Sequence, residues 1–150
     1  MIAAMHYVDT SALLKRFVPE RNSDAFDEWF ANHAPVVITR LGVLEMRCAL
    51  ARRRRAGQIP LDREQAAVKE VQTDILDGAL VVRANHDEHL VDAYHLIEQL
   101  PAVALRTLDA LHLAAARQFG LTAIATADHV MRAAAIALGL EVVFFGPEEP

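Results

Sequence analysis

The sequence predicts an α/β domain built on a central, mainly parallel β-sheet covered by helices. Three observations lead there. Short apolar, often β-branched runs alternate with longer stretches of helical periodicity along the whole chain. Those runs lack a polar alternate, as strands covered on both faces do. Gly57, Gly78, Gly120 and Gly139 each follow a helical stretch, where a left-handed residue closes a helix.

Met5 to Val8 reads as the first strand, and Asp9-Thr10-Ser11 supplies capping chemistry for a short helix carrying Ala12, Leu13, Leu14 and Phe17. Pro19 ends that helix or follows its end. Ser23 is expected to cap a second helix, whose Phe26, Trp29 and Phe30 make one apolar stripe. These rings could stack on bases, but their helical spacing favours packing. Val36 to Ile38 is a β-branched strand, followed by a long helix from about Arg40 to Ala56 with Glu45 on its first half. Asp62 with Gln65 resembles a capping box for a helix running to about Asp77, with Ala66, Val68, Val71 and Ile75 as its apolar side.

Ala79 to Val82 reads as a strand and Asp87 to about Leu100 as a helix. An alanine-rich helix spans Leu108 to Phe119, and Leu121 to Ala125 is a strand. Asp128 to Leu138 is helical, Glu141 to Phe145 forms the last strand, and Pro147 to Pro150 is a short polar tail. No linker, low-complexity segment or second domain interrupts the pattern, so residues 1–150 are expected to form one domain.

A formal charge of −5 supplies no global field for nucleic acid, so a polyanion would need a local patch such as Arg52, Arg53, Arg54 and Arg55. Successive helical residues lie about 100° apart, so these four cannot share one face. Solvation is the plain reading for some; contact with RNA phosphates or an acidic partner segment is the functional one. Cys48 is the single cysteine, which points to a reducing compartment. MIAAMHYVD lacks a basic leader, and no apolar run reaches membrane-spanning length, so a soluble, cytoplasmic protein is expected.

In parallel sheets ligands gather beyond the carboxyl ends of strands. Asp9 and Asp128 follow strand ends there, Glu45 sits about two turns into the helix after the second strand, and Asp109 opens the helix before the fourth strand. Capping alone would explain each aspartate taken singly. Glu45, near the apolar pattern of Leu41, Leu44 and Cys48, is no cap, and its plain reading is the margin of that stripe. Convergence of all four would bring severe repulsion unless a cation offset it, and carboxylate oxygens suit a hard divalent ion. His86, His89, His112 and His129 form no HExxH pattern; His112 and His129 are placed to border the cleft without an assigned catalytic role.

VDTSALLK at Val8 to Lys15, LEMRCAL at Leu44 to Leu50, LDALHLAAA at Leu108 to Ala116 and TADHVMRAAA at Thr126 to Ala135 together resemble a PIN domain of the VapC-type toxin ribonuclease kind, over essentially the whole chain. The resemblance implies a three-layer α/β/α PIN-like fold and a metal-dependent endoribonuclease using Mg2+, with Mn2+ as the alternative. It places the acidic quartet on Asp9, Glu45, Asp109 and Asp128, with Thr10, Ser11 and Thr126 in support. It also implies RNA as substrate, a VapB-type antitoxin partner and a homodimer. DAYHL at Asp92 to Leu96 echoes DALHL at Asp109 to Leu113; Asp109 is preferred because its helix leads through Gly120 into the LTAIATAD strand. Two other readings stay open. One is a non-catalytic RNA-binding or partner-binding domain; the other is a phosphatase with an aspartyl nucleophile, weakened because Ser11 stands where a second aspartate is usual.

Overall fold

A computed structural model describes residues 4–148. Met1 to Ala3, within the stretch read as lacking a leader, and Glu149 and Pro150 of the tail lie outside the described residues. Among the described residues five strands, β1 (Tyr7–Val8), β2 (Val36–Thr39), β3 (Leu80–Arg83), β4 (Ala123–Thr126) and β5 (Glu141–Phe144), form one sheet in the order β3-β2-β1-β4-β5, every pair parallel. Seven helices among the described residues cover it: α1 (Thr10–Phe17), α2 (Ser23–His33), α3 (Arg40–Arg55), α4 (Leu61–Leu76), α5 (Asp87–Gln99), α6 (Thr107–Gln118) and α7 (His129–Ala137).

Strand periodicity sorts the core into two halves. Val8, Val36, Ile38, Leu80 and Ala125 pack on one face with α1 to α4. Tyr7, Val37, Val81 and Ile124 pack on the other with α5 to α7. Neighbouring strand residues thus serve opposite layers, which is why the strands read as unbroken apolar runs. The result is a three-layer α/β/α sandwich. Phe26 and Phe30 are buried in the first layer, with Trp29 packed against it, so the aromatic stripe of α2 is core. No helix among the described residues is long and apolar enough to cross a membrane.

Two caps differ from the expectation. Asn22, at a positive φ of 68°, is the cap of α2, and Ser23 is its first residue; the Ser23 hydroxyl donates to the Val18 carbonyl and accepts from the Glu20 N–H. Pro60 precedes α4 without a side-chain cap, so Asp62 and Gln65 form no capping box. In both places the chain enters the helix one or two residues earlier than hydroxyl and carboxylate spacing suggests.

The order of connections matters for function. The chain runs outward from β1 through β2 to β3, then crosses to lay β4 on the other side of β1. The gap between the carboxyl ends of β1 and β4 is therefore the switch point of the sheet, where such folds hold ligands. Beside it, α3 carries a buried glycine. A Cβ on Gly42 would stand 2.4 Å from Ile38 Cγ1 and 3.3 Å from His112 Cε1. Gly42→Ala is accordingly expected to destabilise the fold by about 1–3 kcal/mol through overpacking, measured as a lowered urea midpoint with an unchanged m-value.

Candidate active site

The carboxyl edge of the sheet opens into a cleft of about 640 Å³ lined by Asp9, Glu45, Asp109 and Asp128, together with Thr10, Ser11, Arg52, Arg53, Arg106 and His112. All four acids singled out in the sequence meet there. Each arrives on a different element, and local physics explains each placement.

Asp9 stands between β1 and α1. Its N–H continues the sheet ladder to the Ala125 carbonyl at 3.1 Å, while its side chain caps α1 by accepting the Ala12 N–H at 3.0 Å. Only 3% of the residue is exposed. Ser11 donates to Oδ1 at 2.7 Å and Thr126 to Oδ2 at 2.6 Å. Burial nevertheless pushes the Asp9 carboxyl above the ordinary range, with Thr126, the nearby His112, Ser11 and the Ala12 N–H pulling in the opposite direction. Thr126 and Ser11 also tie β4 to this acid, since they accept the N–H groups of Asp128 and Ala127 at 3.1 and 2.9 Å.

Glu45 projects from the second turn of α3. Its Oε1 receives Thr10 Oγ1 at 3.3 Å and lies 2.5 Å from His112 Nε2. Asp109 is the third residue of α6, not its cap. Its Oδ2 accepts the Arg106 backbone N–H at 3.2 Å and the Arg106 Nε–H at 3.3 Å, half of a capping box, since a guanidinium has no acceptor with which to return the bond. Asp128 caps α7 by accepting the Met131 N–H at 2.9 Å, and its other oxygen lies 3.5 Å from Arg106 Nη2. For Asp9 and Asp128 the capping reading and the site reading are thus both met by one geometry, and Asp109 comes from the first turn of its helix: a helix start turns a carboxylate toward the sheet edge.

Arg52 and Arg53 line the cleft; Arg54 and Arg55 do not. Arg53 pairs with Glu20 at 2.8 Å, and Glu20 also receives the buried Lys15 at 3.2 Å. Arg54 turns to Glu64 between α3 and α4, and Arg55 is exposed. Asp92, on half-buried α5 surface outside the cleft, accepts from Gln118 Nε2. Arg106, His112, Lys15 and Glu20 carry more of the site's geometry than the sequence reading gave them. The spacing of Asp109 and His112, one helical turn apart, was the signal for one of these.

The donor chemistry suits a hard divalent cation: oxygen ligands, concentrated negative charge and open positions. Glu45 Oε2 and Asp109 Oδ1 accept no hydrogen bond from the described residues. Among the described residues no three acidic, histidine or cysteine groups already stand close enough to grip one ion. Asp9, Glu45, Asp109 and Asp128 are the residues that would hold such an ion.

A PIN domain family model matches residues 6–137. Ribonuclease VapC35 of Mycobacterium tuberculosis is 33% identical over 145 residues, covering 93% of this chain and 96% of its own. Two solved structures share the fold. One is Mycobacterium tuberculosis VapC20, a sarcin-ricin loop cleaving toxin, with a TM-score of 0.69 at 19% identity over 85% of this chain and 93% of that one. The other is FitAcB from Neisseria gonorrhoeae, with 0.68 at 17% over 92% and 96%.

Asp9 generates a signed expectation for stability. Its folded carboxyl titrates above the unfolded value of about 3.9, so the folded state binds the extra proton and loses stability as pH rises through that window. Asp9→Asn, which never ionises, should melt higher than the parent at pH near 7 in chelator, the gap closing as pH falls toward about 4. Thermal melts across pH read this directly.

Proposed function

The chain belongs to the PIN domain family, and from that premise we propose that it is an endoribonuclease toxin that hydrolyses RNA phosphodiester bonds. The observation carrying the proposal is the convergence of Asp9, Glu45, Asp109 and Asp128 on one cleft at the switch point of the sheet. Its curated relatives bear the name ribonuclease at one-third identity across nearly the full length of both chains.

Mg2+ is the proposed cofactor, with Mn2+ as the alternative; when bound, such an ion offsets the charge that develops on a phosphodiester and makes water a stronger acid. The chain's own residues supply position. Asp9 is immobilised by Thr126, Ser11 and the α1 N-terminus, Asp109 and Asp128 by the starts of α6 and α7, and Glu45 by Thr10 and His112. Placing acids on strand ends and helix starts restricts their motion more than a loop would. Arg52 and Arg53 at the cleft are proposed to contact RNA phosphates, which positions the strand without reading its bases. Hydrolysis adds water's oxygen to phosphorus as the ester oxygen departs with a proton.

A cytoplasmic toxin of this kind is proposed to be held in check by a VapB-type antitoxin and to form a homodimer. In support, a second cleft of about 720 Å³ on α3 and α4 is almost wholly apolar, lined by Leu41, Val43, Leu44, Val68, Val71 and Ile75, with Leu44 59% exposed. Open apolar surface of that kind marks a partner-binding face. The phosphatase and pure binding readings have less support. Ser11 donates to Asp9 instead of supplying a second carboxylate, and four converging acids would repel RNA if no cation joined them.

Purified, antitoxin-free protein should cleave structured RNA with manganese and stop in chelator. Asp9→Asn and Asp109→Asn should fall to the chelator background, whereas Asp92→Asn, outside the cleft, should keep parental activity. Binding without cutting by the parent would support the non-catalytic reading, and a phosphoaspartate trapped on Asp9 would support the phosphatase.

A further inference from the structure

His112 lies beneath the cleft with 3% of its surface exposed, between a hydroxyl on the central strand and a carboxylate on α3. Its Nδ1 meets the Tyr7 hydroxyl, and its Nε2 lies 2.5 Å from Glu45 Oε1. Tyr7 has no exposed surface, so its hydroxyl must find its hydrogen-bond partner inside the protein. A tyrosine hydroxyl that donates to Nδ1 leaves the neutral ring's proton on Nε2, aimed at Glu45.

Among the four acids Glu45 is the one that needs such help. Asp9, Asp109 and Asp128 each accept a backbone N–H at a helix start, from Ala12, Arg106 and Met131. Glu45 sits inside α3, where backbone N–H groups are already engaged, and it has one more rotatable bond than an aspartate. Its partners among the described residues are side chains, the 3.3 Å Thr10 contact and the shorter His112 contact. The fold also clears room for the ring: Gly42, one turn before Glu45, has no Cβ, and one there would stand 3.3 Å from His112 Cε1.

We infer that His112 is a positioning residue for Glu45, and that Tyr7, by orienting the imidazole, sets the direction in which the Glu45 carboxylate faces the cleft. The inference rests on the ribonuclease reading, in which Glu45 is a metal-holding acid. It adds the strand and helix that aim it. A hydrogen bond behind a ligand carboxylate is generally worth about 10–100-fold in metal affinity or activity.

Tyr7→Phe, His112→Leu and His112→Gln test it. Manganese titration of each variant should show affinity about 10–100-fold weaker for His112→Leu, with kcat lowered and the KM for RNA unchanged. His112→Gln, whose amide N–H reaches toward Glu45, should recover most of that loss, and Tyr7→Phe should lie between. In chelated protein, the Glu45 side-chain carboxyl 13C resonance should shift in Tyr7→Phe while that of Asp128 stays in place. If His112→Leu fails to fold, the isosteric Tyr7→Phe carries the test. An active parent whose Tyr7→Phe variant keeps parental manganese affinity, kcat and Glu45 resonance overturns the inference alone. A parent that neither binds manganese nor cuts RNA overturns the ribonuclease reading, and this inference with it.

Discussion

A carboxylate almost without solvent, Asp9 at the end of the central strand, is the group around which the polar half of this protein is organised. Water would stabilise its charge far better than the interior does, and the surrounding donors reduce that cost without removing it, since its carboxyl still sits above the ordinary range. Every donor it collects also joins two pieces of the fold. The Ala12 N–H starts α1, Thr126 ends β4, and Ser11 reaches across to the Ala127 N–H. The same contacts that hold the acid therefore close the gap between β1 and β4.

The remaining acids are handled by different means, according to how each element delivers them. Arg106 serves Asp109 and Asp128 together, its backbone closing the α6 cap and its guanidinium spanning to the start of α7. That side chain is 74% exposed, so its ion pairs are screened and contribute little to stability. Glu45 relies on a buried imidazole. Farther along the cleft, Glu20 lies between Lys15 and Arg53, leaving that cluster one positive charge in excess. Arginines thus border the acidic centre on both sides, the charge pattern on which the proposed phosphate contacts rest.

Elsewhere the four-arginine run divides between two tasks. Arg53 faces the cleft, whereas Arg54, one residue on, turns to the gap between α3 and α4. There Glu64 is pushed up by desolvation but held lower overall by Arg47 and Arg54. Helical geometry makes this division unavoidable, because adjacent residues point about 100° apart. One run of charge thus supplies both the edge of the acidic cleft and the ion pair that joins α3 to α4.

Local chemistry made much of this legible in the chain itself. Apolar runs and turn glycines were enough to place the sheet and the helices, because side-chain period and helix-stop chemistry are properties of a few neighbouring residues, whereas the four acids were gathered into one set by the resemblance to a PIN domain. Cap positions at Asn22 and Pro60 were not legible, since the loop before each helix sets the entry. Nor were the partners of the acids. His112 looked like a residue bordering the cleft, yet its contacts with Tyr7 and Glu45 span 105 and 67 positions of chain. Sequence alone determined which residues carry charge and where strands end; only tertiary structure decided which donor faces which carboxylate, because hydrogen bonds depend on ångström-scale approach between segments that lie far apart along the chain.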